Sequence, residues 1–191
     1  MAKEIVNLRK EHVNFKKLLD LLDAQLDLLH QGEAPDYQLM TDILYYMTQY
    51  ADIIHHPREE AIFSLLVEHD SSVAQNVTEL TKQHYTIEES GDCFYEKLEN
   101  VINGEIMQLQ EIEEPGRLYV TILRDHMDKE EQGLFVMAEQ LLNDDDWKKI
   151  KTETLTKPDP IFGEAIEDRF HLVCDQLVRS ASDKTTMIKE G

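Results

Sequence analysis

From Ile5 to Leu29 the apolar residues fall at Ile5, Leu8, Phe15, Leu19, Leu22, Leu26 and Leu29. Steps of three and four place them on one helical face, and the gap in that stripe is filled by His12. Three more stripes follow. The second runs Leu39, Ile43, Tyr46, Tyr50, Ile53, His56, Glu60, Phe63 and Val67; the third Val73, Val77, Leu80, His84, Ile87, Gly91, Phe94, Leu98 and Val101; the fourth Leu118, Ile122, His126, Glu130, Leu134, Met137 and Leu141. The breaks between them, HQGEAPD, HDSS and NGEIMQ, carry turn and capping residues. Pro115 is expected in the first turn of the fourth helix, where a missing N–H costs nothing. No useful strand-like alternation appears, so the predicted class is all-α, an up-down-up-down four-helix bundle over residues 1–145. Residues 146–191 are expected to form a linker, a shorter helix around 163–180 and a polar tail, packed outside the bundle or serving a partner such as the second copy of a homodimer.

Depth within such a bundle can be counted at 1.5 Å per residue from each turn. His12 and His56 are each about 27–28 Å from the first turn, His84 falls between His56 and Glu60 from the second, and His84 and His126 are each about 28 Å from the third. Four histidines therefore reach one layer. His56-x-x-x-Glu60 and His126-x-x-x-Glu130 place a carboxylate one turn from its imidazole on the same helix face. On this count His55 and Glu59 fall on the outer flank, and Pro57 removes a backbone hydrogen bond at the layer. Two carboxylates in an apolar seam cost several kcal/mol each unless cations compensate them. A mixed nitrogen and oxygen set of this size suits two iron ions, with manganese as the alternative, better than a single tetrahedral zinc. His12, His56, Glu60, His84, His126 and Glu130 are thus the candidate metal ligands, with Glu88, four residues past His84, as an additional candidate that a solvated face explains equally well. The set leaves a coordination position open to a small ligand. His30 and His69 sit at bundle ends and His171 in the extension. Tyr46, Tyr50 and Tyr119 fit core packing, and Cys93 and Cys174 fit buried thiols.

The charge excludes other classes. Asp and Glu number 39 against 19 Lys and Arg, a net charge of −20, which repels nucleic-acid backbones and anionic membranes. No apolar run is long enough to span a bilayer, no secretory signal pattern opens the chain, and the two cysteines are unpaired in spacing, so a cytoplasmic setting is expected.

The residues His12, HHPREEAIF, His84 and DHMDKEEQGLF resemble the hemerythrin-like, or hemerythrin HHE cation-binding, family over about residues 1–142. The resemblance implies a non-haem, oxo- or hydroxo-bridged di-iron centre, with Glu60 and Glu130 bridging, His12 and His56 mainly on one iron and His84 and His126 on the other. It also implies dioxygen binding, or reaction with nitric oxide or peroxide, at the open position. The chain departs from the animal oxygen carriers of the family in having Leu80 where they have a further histidine. It also has Glu130 and Glu131 where they have a single aspartate five residues after the histidine. The expected function is binding of dioxygen or nitric oxide in oxygen binding, sensing or stress response. The rivals are a di-iron oxidoreductase acting on nitric oxide or peroxide, and an iron-handling protein.

Overall fold

A computed structural model describes residues 2–190, with side chains described up to residue 181. Helices α1 (Lys3–His30), α2 (Tyr37–Tyr46), α3 (His56–His69), α4 (Ala74–Ile102) and α5 (Leu109–Gln132) form a bundle, and no strand occurs among the described residues. Glycines at positive φ, Gly32 and Gly104, end α1 and α4, a conformation that costs glycine nothing. Helix α1 lies antiparallel to α5, as a ladder of ion pairs shows: Arg9 with Glu131, Lys16 with Asp128, Arg124 with Asp20 and Asp23, and Arg117 with Asp23 and Asp27.

Between α2 and α3 the chain does not turn. Met47–His55 continues the same helix as a π-helix, closed at its end by the N–H of His56 bonding to the carbonyl of Ala51. A π-turn inserts one extra residue and rotates everything beyond it. Ile53, expected in the seam, is accordingly 47% exposed, and Ile54 is 6% exposed in its place. Pro57 stands at the start of α3, where the wider turn accommodates its missing N–H and bulky ring. Arg58 Nε donates to the carbonyl of Ile54, 3.1 Å away.

The core has two parts. One runs from Phe15 through Leu29 and includes Ile43, Tyr46, Phe94, Tyr119 and Leu123. The other gathers Ile5, Leu8, Phe63, Leu66, Leu80, Leu134 and Phe135. On each helix the histidine layer falls where one cluster gives way to the other. Gly133 separates α5 from α6 (Leu134–Leu141), so the fourth apolar stripe is carried by two helices.

Other expectations shift in detail. Pro115 lies inside α5, past its first turn, because that helix begins at Leu109 with a reciprocal Gln108–Glu111 cap. Residues within the expected linker form α7 (Asp144–Glu153), capped by Asn143. The final helix, α8 (His171–Glu190), starts later than 163. The segment before it packs closely on the bundle: Ile161, Phe170 and Val173 are buried in the larger core cluster. Asp159 accepts from the Tyr46 hydroxyl and Arg169 donates to Asp42. Cys93 is exposed and Cys174 half-buried. No helix among the described residues is long and apolar enough to cross a membrane.

Candidate metal centre

Seven side chains meet in the layer between the two core clusters. His12, His55, His56, His84, His126, Glu59 and Glu130 are all buried. Their ligand atoms divide into two groups: His12, His55 and Glu59 converge in one, and His56, His84, His126 and Glu59 in the other. Glu130 faces both, with Oε2 3.5 Å from His12 Nε2 and Oε1 3.1 Å from His126 Nε2 and 3.5 Å from His84 Nε2. Glu59 does the same from the opposite helix, with Oε1 3.0 Å from His55 Nε2 and 3.3 Å from His12 Nε2, and Oε2 3.6 Å from His84 Nε2. Each carboxylate thus directs one oxygen toward each group.

The layer is the one the depth count predicted, and it contains His12, His56, His84, His126 and Glu130. Two expected residues are elsewhere. Glu60 is not in the cavity: its side chain is 41% exposed, against 0% for Glu59, and it accepts from His84 Nδ1 at 3.1 Å. Glu88 lies on the exposed face of α4. The partnering also changes, since His12 meets His55, while His56 stacks on His84 with ring centroids 4.2 Å apart. The differences around Pro57, at Glu60 and in the partnering of the histidines, have one cause. An uninterrupted 3.6-residue count from Tyr50 selects Ile53, His56 and Glu60, whereas the π-turn advances the register and brings in His55 and Glu59 while keeping His56 buried. The signal available in the sequence was the mid-helix proline beside the doubled HH and EE.

The outer edges of the imidazoles are held almost as a set. His12 Nδ1 donates to Glu131 at 3.1 Å, His55 Nδ1 to Glu11 at 2.6 Å, His84 Nδ1 to Glu60 at 3.1 Å and His126 Nδ1 to Gln83 at 3.1 Å. Arg58 also donates to the Glu11 carboxylate and Arg9 to that of Glu131. A proton on Nδ1 leaves the Nε2 lone pair facing the cavity, the arrangement that carboxylate-backed metal-binding histidines adopt.

The inner edges lack partners. Both oxygens of Glu59, both of Glu130, and Nε2 of His84 and His126 are buried without a hydrogen bond, a concentration of unsatisfied groups that folded proteins avoid unless something else binds there. His12 Nε2 and His55 Nε2 face each other at 3.0 Å, and two lone pairs at that distance repel unless a proton or a cation intervenes. An ion about 2.1 Å from each of two neighbouring ligands holds them roughly 3 Å apart, which matches the His12, His55 and Glu59 triangle. The electrostatics agree. Burial opposes ionisation of Glu59, yet His55 and His12 hold its carboxyl well below the usual range. Burial likewise opposes charge on His12 and His84, but Glu131, Glu59 and Glu130 push His12 up to about 9, and Glu130, Glu60 and Glu59 push His84 up to about 10. The two carboxylates demand positive charge, and protons on imidazoles supply it wherever metal does not.

A search of curated proteins finds none that matches the chain. A family model does match: the one described as the hemerythrin HHE cation binding domain, over residues 4–138.

Proposed function

Because the chain belongs to the hemerythrin HHE cation-binding domain family, we propose that the buried layer holds two iron ions in an up-down-up-down bundle spanning residues 1–145. Glu59 and Glu130, each facing both ligand groups, would hold both ions, His12 and His55 would hold one of them, and His56, His84 and His126 the other. Bound there, the pair of ions supplies an open coordination position and redox electrons toward a small ligand such as dioxygen or nitric oxide. The observation that carries this reading is the set of buried carboxylate oxygens and imidazole nitrogens that converge without hydrogen bonds.

The protein's own part is to orient and to exclude. Glu131, Glu11, Glu60 and Gln83 fix four imidazole planes. Phe135 stacks on His12 and Phe15 packs edge-on against His55, closing one side to water. With two imidazoles in one ligand group against three in the other, an ion on the His12–His55 side would have more room for a small ligand. The phenyl rings of Phe135 and Phe15 on that side favour an uncharged diatomic over hydrolytic chemistry.

Anaerobic reconstitution with Fe(II), followed by titration with dioxygen and with nitric oxide under optical observation, tests the assignment. The reading expects about two irons per chain, consistent with two ligand groups, and a stoichiometric spectral change on ligand addition. Iron retention with no response to either gas would contradict the ligand-binding role, and continuous consumption of nitric oxide or peroxide would make the protein an enzyme instead.

A further inference from the structure

Four of the five imidazoles in the layer have Nδ1 in a hydrogen bond, and His56 is the exception. It is 4% exposed, and its Nδ1 is buried with no hydrogen-bond partner. The nearest acceptor is Asp52 Oδ1, 3.1 Å away but out of alignment. Asp52 sits one turn earlier on the π-helix with its side chain 11% exposed. Facing it on α4 are Glu88 and Asp92, a turn apart and both exposed.

The two elements lie close along this crease. At one end His56 stacks on His84; at the other, a Cβ placed on Gly91 would lie 3.6 Å from Thr48 Cγ2 and 3.0 Å from the Tyr119 ring. Asp52, Glu88 and Asp92 lie between these ends, and none of them forms an ion pair with a lysine or arginine among the described residues. The contrast with the α1–α5 face is direct, since Asp23 and Asp27 there are met by Arg117 and Arg124. Uncompensated like charges beside a buried, unpartnered imidazole make a place that a cation would relieve.

We propose that Asp52, Glu88 and Asp92 form a transient binding site for hydrated divalent cations, through which metal reaches the buried centre past His56. Exposure falls step by step along this line, from Glu88 and Asp92 through Asp52 to His56 and then Glu59. A cation can therefore exchange water for protein oxygens gradually rather than at once. The inference rests on the metal centre described above, but it concerns the rate of loading rather than the final ligand set.

The test is stopped-flow loading of metal-free protein with Co(II), comparing wild type with the Glu88→Gln/Asp92→Asn double variant. A Glu33→Gln/Glu105→Gln variant removes two exposed charges at the bundle ends and serves as the control. The route predicts loading about tenfold slower at low salt for the double variant, the scale of electrostatic guidance. The difference should shrink as salt screens the charges, with the final Co(II) content and dissociation constant unchanged and the control within about twofold of wild type. A loading rate equal to the control's overturns the proposal. So does a lower Co(II) content or affinity at equilibrium, which would make Glu88 or Asp92 a resident ligand. A wild type that takes up no Co(II) would overturn the metal centre itself, an outcome separable from a failed route because it appears in the equilibrium content.

Discussion

Two helices bring a carboxylate to the centre from opposite sides, and they do so differently. In α5 the turn is regular: His126 and Glu130 lie four residues apart on one α-helical face, with the next residue, Glu131, turned outward to His12 and Arg9. In the second helix a π-turn ends at His55, so that both histidines of the HH pair and only the first glutamate of the EE pair are buried. A regular helix can offer one imidazole per turn to a given point. The π-turn lets adjacent residues serve two points, His55 toward His12 and His56 toward His84. Asymmetry in the backbone thereby becomes asymmetry between the two ligand groups. The irregular helix also needs side-chain support, which Arg58 gives by holding the Ile54 carbonyl and Glu11 together.

Several perturbations should break or sharpen this difference. The largest effect is expected from removing the metal, since both helices then lose the cation that compensates their carboxylates. At free metal about a thousandfold above the dissociation constant, binding contributes roughly 4 kcal/mol. For a chain of this size that is a fall of on the order of 10 °C in melting temperature on chelation, measurable by circular dichroism. An unchanged melting temperature would argue that the layer is satisfied without metal.

Replacing Pro57 by Ala comes next. Proline disfavours an unbroken α-helix by about 3 kcal/mol, so Pro57→Ala removes that bar and lets the second helix relax toward the register that would bury Ile53, His56 and Glu60. Metal affinity measured by competition titration should weaken by about tenfold or more, as loss of ligand support does. Unchanged affinity would mean that side chains alone maintain the π-turn.

Glu11→Gln probes that support. It leaves the helix geometry but weakens the hold on His55 and Arg58, and should lower affinity by about 10-fold. Gln83→Ala, which frees His126 on the regular helix, should cost less because a neutral amide is the weaker anchor.

Changing pH acts on the imidazoles themselves. His12 and His84 are held protonated up to about 9 and about 10 in the metal-free layer, so metal must displace their protons. Affinity should therefore fall as pH is lowered from about 10 toward neutrality, by about tenfold per unit for each proton displaced. Flat affinity across that window would show that these rings do not bind metal.

The comparison also explains which parts of the molecule were readable from sequence. Stripes with steps of three and four identified the helices, and counting turns placed His12, His56, His84, His126 and Glu130 at one depth, because rise per residue is nearly constant along α-helices. The same count failed at Glu60, since one inserted residue between Tyr50 and His55 rotates the face and periodicity carries no term for it. Pro57 marked the place without specifying the register. The outer carboxylates Glu11 and Glu131 were not legible either, because they lie just off the apolar stripes and acquire their role only when two helices meet.

Glu59 against Glu60 separates the two helical registers most sharply, and counting metal in their glutamine variants tests the difference most directly. After Fe(II) loading and desalting, Glu60→Gln is predicted to retain about two ions per chain, as wild type does, with somewhat weaker binding because Glu60 only orients His84. Glu59→Gln, which removes a carboxylate facing both ligand groups, is predicted to retain about one or fewer. Full occupancy in Glu59→Gln together with loss in Glu60→Gln would restore the uninterrupted helical register and contradict the π-turn centre.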